Sequence, residues 1–140
     1  MSPTGDHDAA LALLRDRIPG LVAVYRYGSS GTPAERPESD IDLAILTDPP
    51  LSRGERVHAR WDVAQAVAEA LGREVDLVDL GAASTVFRAR VVTGGERVWC
   101  ADRAAAERFE DHALSAYARL NEERAGILRD IRERGRIHGR

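Results

Sequence analysis

The sequence predicts an α/β (α+β) fold in which helices pack on a small mixed β-sheet. Short runs of branched and aromatic residues, which favour strands, alternate with longer segments whose apolar residues recur at helical spacing. Clusters of glycine, proline and serine separate several of these segments. The order helix, strand, strand, helix, strand, helix, strand and long helix is typical of helices layered over a sheet. Residues 1–140 are expected to form one domain.

The first part of the chain is predicted to contain a helix and two strands. Residues 8–18 have leucines and an isoleucine at helical spacing and are followed by a Pro-Gly pair. The run LVAVYRYG, residues 21–28, is rich in branched and aromatic residues and stops at Gly28, which is typical of a strand. Residues 29–39 are dense in glycine, proline and serine and are predicted to form a loop or a short helical turn. DIDLAILT, residues 40–47, is predicted to be a strand covered on at least one face.

Helices and two further strands are predicted for the rest of the chain. Residues 54–71 repeat apolar residues at helical spacing and are followed by a glycine, which favours a helix that ends there. Residues 103–134 contain no proline and carry a loosely amphipathic apolar stripe, so a long C-terminal helix is expected. Between them the sequence predicts, in order, a strand at 73–80, a short helix at 82–95 and a short strand at 96–102.

Composition excludes several classes of function. The net charge of −3 argues against a protein that holds nucleic acid by phosphate attraction, and no sequence-specific nucleic acid is expected as a partner. No apolar stretch approaches the ~20 residues that cross a bilayer, and the first residues lack an export-signal pattern, so we expect a cytoplasmic protein without a membrane partner. Cys100 is the single cysteine, which excludes an internal disulfide and a thiolate zinc site.

Two aspartates at the start of the second strand are candidate metal ligands. Asp40 and Asp42 are two residues apart, so on a strand their side chains project from the same face. Carboxylates this close repel each other unless a cation lies between them, and Mg²⁺ prefers hard oxygen ligands of this kind. We interpret the pair as a Mg²⁺ site that brings the phosphates of a nucleotide into position.

A third carboxylate on a neighbouring strand would complete a site for two metal ions. Two ions about 3.5–4 Å apart stabilise both the attacking and the leaving oxygen in phosphoryl transfer. The third strand offers Asp76 and Asp79, which are three residues apart and so face opposite sides. We select Asp76, which lies mid-strand between apolar residues, and expect Asp79 on the outer face or at a helix cap.

A Gly-Ser turn after the first strand is a candidate phosphate-binding element. Gly28 allows the backbone to approach a phosphate closely. The amides and hydroxyls of Ser29 and Ser30 would form a small anion cradle beside it. The carboxylates would hold the metal while this turn binds the far end of the triphosphate.

These motifs together resemble a known enzyme family. Gly28-Ser29, ten intervening residues, SDIDLAIL at 39–46 and EVDLVDL at 74–80 resemble the minimal nucleotidyltransferases of the DNA polymerase beta superfamily, in particular the MntA-like antitoxins of HEPN/MNT toxin-antitoxin pairs. The resemblance covers about residues 20–80, with the catalytic motifs within 27–80. It implies the nucleotidyltransferase fold. The long C-terminal helix lies outside the matched motifs, and its length is compatible with this family.

The resemblance also implies a reaction and roles for residues. It implies that the protein is an adenylyltransferase, which transfers AMP from ATP to a protein hydroxyl and releases pyrophosphate. For the antitoxins, that hydroxyl belongs to a tyrosine of the partner HEPN toxin. Asp40 and Asp42 would bind metal, two Mg²⁺ ions being expected. Asp76 would ligate the catalytic metal and favour deprotonation of the acceptor hydroxyl. Gly28 and Ser29 would grip the triphosphate of the substrate ATP.

Two other functions stay open from the residues alone. Family members often carry arginines and a glycine after the Gly-Ser pair, whereas residues 30–33 read Ser-Gly-Thr-Pro here and only Arg36 remains. This departure motivates a non-catalytic antitoxin that binds and occludes its toxin through the long helix and its arginine-rich end. A small-molecule nucleotidyltransferase of the aminoglycoside type is the third hypothesis. Trp61 and Trp99 are predicted to be core residues. Tyr25 and Tyr27 are predicted to be partly buried supports, with a place beside the nucleotide as the alternative for Tyr27.

Overall fold

A computed structural model describes residues 3–28 and 40–138 of the chain. Its elements follow the predicted order, and the mixed α/β architecture with a long C-terminal helix is confirmed. The elements are α1 (Pro3–Arg17), β1 (Leu21–Tyr27), β2 (Ile41–Thr47), α2 (Arg53–His58), a π-helical segment (Ala59–Val63), α3 (Ala64–Leu71), β3 (Val75–Asp79), a 3₁₀ turn (Leu80–Ala82), α4 (Thr85–Gly94), β4 (Glu96–Cys100) and α5 (Arg103–His138).

The four described strands form one sheet in the order β3-β2-β1-β4. β1 pairs antiparallel with β2 and with β4, whereas β2 and β3 are parallel. The parallel pair is joined by the crossover through α2, the π-helical segment and α3, as the chain length between two parallel strands requires. β3 is therefore an edge strand, and β2 lies between it and β1.

Each face of the sheet carries its own apolar core. On one face, alternate residues of β2 such as Leu43 and Ile45 pack with α1, the π-helical segment and α3. On the other face, Tyr25 and Ala44 pack with α4 and the first part of α5. Because successive strand residues point to opposite faces, β1, β2 and β4 contribute to both cores.

The crossover helix begins and ends at residues that stabilise those positions. Ser52 accepts a hydrogen bond from the Glu55 backbone, and the Glu55 side chain accepts one from the Ser52 backbone, which completes a capping box. Gly72 ends the helix with a φ of 68°, a conformation that glycine adopts without strain. The π-helical segment between them was not predicted from the sequence, because a single added residue in a turn leaves no clear periodic signal.

α5 is 36 residues long, which corresponds to about 54 Å. Only its first part packs on the body of the protein, where Ala106 and Ala113 are buried. Beyond residue 120 nearly all of its described side chains are exposed. No helix in the described part of the chain is long and apolar enough to span a membrane.

Candidate functional site

The structure brings two of the three predicted carboxylates side by side. Asp42 in β2 and Asp76 in β3 are direct register partners on adjacent parallel strands. Register partners project from the same face of a sheet, and neighbouring strands lie about 4.8 Å apart. Asp40 immediately precedes β2 and is exposed. Asp76 is exposed as well, because β3 is the edge strand.

The charges of these carboxylates act on one another. Partial burial raises the pKa of Asp42, and the negative charges of Asp76 and Asp40 raise it further. All three carboxylates therefore contribute to the same negative potential, although their backbones belong to two strands. This is the electrostatic conflict that a divalent cation would relieve.

Tyr27 extends the row of polar side chains across a third strand. It is the register partner of Asp42 in β1, so Tyr27, Asp42 and Asp76 lie in one line across the sheet. Its ring packs edge-on against Phe87 of α4, with 5.2 Å between ring centroids. Burial raises the pKa of Tyr27, as do the charges of Asp76 and Asp42 and a hydrogen bond with Asp76. The phenol is thus protonated and donates that hydrogen bond.

The sequence predicts Tyr27 as a partly buried support, and the structure adds a direct polar role. Tyr25 and Tyr27 are two residues apart, which correctly placed both side chains on the same face of β1. Tyr25 is almost fully buried on that face. What periodicity could not show is the register between β1 and β2, which decides that Tyr27 faces the carboxylates. Register depends on the antiparallel pairing as a whole and not on local sequence.

Gly28 lies against the carboxylate row. Its φ is 76°, in the left-handed region that favours glycine. A Cβ atom at this position would overlap the Oδ2 atom of Asp42. Glycine therefore lets the chain turn directly beside the carboxylate. Ser29 and Ser30, the other predicted phosphate-binding residues, and Arg36 lie outside the described residues.

The donor set fits Mg²⁺ in the way that nucleotide-handling enzymes use it. Within residues 3–28 and 40–138, no three acidic, histidine or cysteine side chains converge tightly enough to enclose an ion by themselves. Mg²⁺ bound with a nucleotide takes one or two carboxylates and completes its coordination with water and phosphate oxygens. Two adjacent carboxylates with a third nearby provide the required oxygen ligands without forming a closed cage.

Asp79 is not part of this row. It pairs in register with Ile45, and its side chain accepts a hydrogen bond of 2.9 Å from the Gly81 backbone. It caps the 3₁₀ turn that follows β3. The expectation that Asp79 lies at a helix cap is confirmed.

One predicted core residue is on the surface. Trp61, in the π-helical segment, is 64% exposed, so its assignment to the core was wrong. Trp99 is half-buried and packs against the core beneath α1, with the Arg15 guanidinium 5.2 Å from its ring centroid. Regular helical spacing would place Trp61 on the same face as the buried Ala64 and Val67. The wider turn of the π-helical segment changes this spacing, so the residues after it face the core while Trp61 faces solvent.

Comparison with protein families and curated proteins gives consistent matches. The family model described as polymerase beta, nucleotidyltransferase matches residues 12–104. The protein adenylyltransferase MntA of Shewanella oneidensis is 40% identical over 121 residues, which cover 86% of this chain and 84% of that protein.

Solved structures with the same fold come from toxin-antitoxin complexes. One is the complex of a tri-AMPylated Shewanella oneidensis HEPN toxin with its MNT antitoxin, which is 38% identical, has a TM-score of 0.72 and covers 91% of this chain and 97% of that chain. Another is a toxin-antitoxin crystal structure with AMP-PNP, which is 40% identical, has a TM-score of 0.75 and covers 89% of this chain and 96% of that chain.

Proposed function

The chain belongs to the polymerase beta nucleotidyltransferase family, and from this premise we propose that it is an antitoxin that transfers AMP from ATP to a hydroxyl of a HEPN toxin. The relative at 40% identity is a protein adenylyltransferase. Matched structures include an AMPylated HEPN toxin with its antitoxin and a complex with an ATP analogue. The acceptor residue is proposed to be a tyrosine. The reaction is proposed to take place in the cytoplasm, where ATP is supplied.

The observation that carries this proposal is the pairing of Asp42 with Asp76 on adjacent strands. A phosphoryl-transfer site needs negative oxygen ligands close together, facing the same way and open to solvent on one side. Asp42 and Asp76 meet these conditions because parallel pairing places them in register, and Asp40 extends the cluster toward the start of β2.

Each carboxylate has a proposed role. Asp40 and Asp42 would hold Mg²⁺ together with phosphate oxygens, and Asp76 would complete a site for a second ion. When bound, Mg²⁺ neutralises these carboxylates and the charge that develops on the triphosphate. Gly28 would let the turn carrying Ser29 and Ser30 approach the phosphates, which need backbone and hydroxyl donors.

The bond changes define what the protein groups must do. The acceptor oxygen forms a bond to the α-phosphorus of ATP, and the bond from that phosphorus to the bridging oxygen breaks to release pyrophosphate. The proton of the acceptor hydroxyl passes to a base. Asp76 is the candidate base because it is exposed at the sheet edge, where an external hydroxyl can reach it.

AMP transfer can be tested with purified proteins. Incubation of the protein with α-labelled ATP, Mg²⁺ and the cognate HEPN protein should label the HEPN protein. Asp42→Asn should reduce the labelling rate by at least about a hundredfold, because a neutral amide is a poor Mg²⁺ ligand. Asp102→Asn is the matched control, since it changes the same residue type at the start of α5, outside the carboxylate row, and keeps a side-chain acceptor for the Ala105 backbone. Equal labelling by the Asp42→Asn variant would reject the assignment.

A second candidate function, neutralisation by occlusion, is favoured by the far part of α5. Its apolar residues Ile127, Leu128 and Ile131 are 59%, 56% and 59% exposed. Three adjacent exposed aliphatic side chains on one helix are typical of a protein contact surface. If occlusion is sufficient, the Asp42→Asn variant should protect cells from the toxin as well as the wild type does. If transfer is required, protection should be lost while the complex still forms.

A further inference from the structure

A cleft lies along the free edge of β3 on the side of the crossover helix, and Asp76 is the one member of the carboxylate row in its lining. Its volume is about 480 Å³. One wall consists of β3 from Asp76 to Asp79, and the other contains Arg53, Arg56 and Arg60 from the crossover helix. β3 has no strand partner on this side among the described residues, so its outer backbone groups line an open sheet edge.

Trp61 stands beside this cleft and is exposed. Its side chain is 64% exposed, and that of Val57, one turn earlier, is 53% exposed. The Arg60 guanidinium lies 5.4 Å from the centroid of the Trp61 ring, within the range of a cation–π contact. A second cleft of about 310 Å³ also contains Arg60, Trp61 and Asp76 in its lining. Trp61 therefore borders two depressions that both reach Asp76.

The exposure of this pair follows from the local backbone. Ala59 and Val63 face the core and are almost fully buried. The π-helical segment Ala59–Val63 holds them there while Arg60 and Trp61 project outward. π-helical turns are rare and concentrate at functional sites, because their distortion must be offset by the surrounding structure.

We propose that this cleft binds an extended acidic segment of the acceptor protein and delivers its hydroxyl to Asp76. The proposal rests on the proposed AMP transfer. Arginine and tryptophan are the side chains that contribute most to protein interfaces. The three arginines outnumber the two aspartates of the β3 wall and attract carboxylates. The indole provides apolar contact, and the open edge of β3 offers backbone hydrogen bonds to an extended chain.

The strand order places the two substrates on opposite sides of Asp42. The turn at Gly28 follows β1 and is the proposed grip for the triphosphate, whereas the cleft borders β3. Asp42 in β2 lies between them, in register with Tyr27 on one side and Asp76 on the other. An acceptor arriving along β3 would meet Asp76 without displacing the nucleotide.

The test compares charge reversal in the cleft with the same change elsewhere. The variant Arg53→Glu/Arg60→Glu reverses two arginines in the cleft and retains Arg56, whose guanidinium also donates to the Leu51 carbonyl. The control Arg90→Glu/Arg108→Glu reverses two exposed arginines in α4 and α5. AMP transfer is measured at saturating ATP over a range of cognate HEPN protein concentrations, and AMP-PNP affinity is measured separately.

We expect the cleft variant to raise KM for the HEPN protein at least about tenfold, with a larger effect on KM than on kcat. AMP-PNP affinity should change less than about twofold, and the control should resemble the wild type. Trp61→Ala should raise KM in the same direction. An unchanged KM in the cleft variant, or an equal loss of AMP-PNP affinity, would overturn the proposal.

Peptide binding separates this inference from the proposed function. Two peptides of equal length carry a central tyrosine flanked by glutamates or by lysines, and their binding is followed by Trp61 fluorescence with a Trp61→Phe control. The glutamate peptide should bind and should depend on Arg53 and Arg60. Binding of the lysine peptide, or preferential binding of a single-stranded RNA oligonucleotide, would contradict the acidic-segment proposal. Arginine-dependent peptide binding without AMP transfer to the HEPN protein would refute only the proposed function.

Discussion

The two ends of α5 differ in what they contact. Near its start, Glu110 accepts hydrogen bonds from the Tyr25 hydroxyl at 2.6 Å and from Arg97 at 2.8 Å, so the helix is fixed to the sheet. Near its end, Ile127 and Ile131 are each 59% exposed. The same helix therefore has a first part that belongs to the fold and a last part whose apolar residues contact little of this chain.

This difference indicates a division between catalysis and partner binding. The carboxylate row lies on the sheet face that the first part of α5 covers, and β1, which carries Tyr25 and Tyr27, connects them. The last part extends beyond the region where α5 packs on the sheet. Changes at the far end should alter affinity for the partner, whereas changes at the near end should alter stability or turnover.

Among the changes that test this division, the largest expected effect is at the far end of α5. Ile127→Asp/Ile131→Asp should weaken binding of the HEPN protein at least about thirtyfold, because charges replace the apolar contact surface. The free energy of unfolding should change little, since both side chains are already exposed. Binding is measured by calorimetry and unfolding by denaturant titration. Ala118→Asp, a charge added on a different face of the same helix, is the control and should bind normally. Wild-type affinity in the double variant would remove the far end from the interface.

The next effect is at the near end. Glu110→Ala should lower the free energy of unfolding by about 1–3 kcal/mol, because the hydroxyl of the buried Tyr25 and the guanidinium of Arg97 both lose their acceptor. Glu107→Ala removes an exposed ion pair with Arg103 on the same helix and should cost less than about 0.5 kcal/mol. Equal losses in the two variants would mean that Glu110 does not anchor the helix. Both values come from denaturant unfolding of the free protein.

The sequence predicted this fold well because its periodic signals are strong. Each predicted strand and helix is present, with ends shifted by a few residues, and the family resemblance is confirmed by the family match. Alternation places Asp76 and Asp79 on opposite faces, and the position of Asp76 in mid-strand between apolar residues predicts it as the member of the site; the structure pairs it with Asp42. These features depend on local spacing, which sequence retains.

Other features depend on the register or on rare backbone geometry. Tyr27 joins the carboxylates because β1 pairs with β2 in one particular register, which tertiary packing fixes. Trp61 is exposed because a π-helical turn interrupts the helix, and helical periodicity assumed a regular one. The sequence of the exposed end of α5 predicts an ordinary amphipathic stripe. A sequence does not indicate which part of a long helix packs against the rest of the chain.

A smaller effect is expected within the carboxylate row. Tyr27→Phe removes the hydroxyl that donates to Asp76 and retains the ring that packs on Phe87. The Asp76 carboxylate then loses a fixed orientation, and kcat should fall about tenfold while KM for the HEPN protein stays nearly constant. Tyr117→Phe, on α5, is the control. An unchanged kcat, or an equal change in KM, would exclude a positioning role for Tyr27 at the site.

The smallest effect concerns the stability of the metal-free protein. Asp42→Asn should raise the free energy of unfolding at pH 7 by about 0.5 kcal/mol, because it removes repulsion from Asp76 and Asp40 at a partly exposed position. Burial and the neighbouring charges raise the pKa of Asp42 in the folded protein. The contribution of Asp42 to the free energy of unfolding is therefore fully present below about pH 4, the ordinary pKa of an aspartate in the unfolded chain, and is lost as the pH rises through the folded-state pKa. The advantage of the variant should therefore disappear in acid.

Addition of Mg²⁺ at pH 7 should stabilise the wild type more than the variant, since only the wild type keeps all three carboxylates. Asp111→Asn, at an exposed position of α5, should show neither dependence. A wild type that is more stable than Asp42→Asn at pH 7 without metal would mean that other groups of the protein already neutralise the carboxylate row, and the repulsion argued here would be refuted.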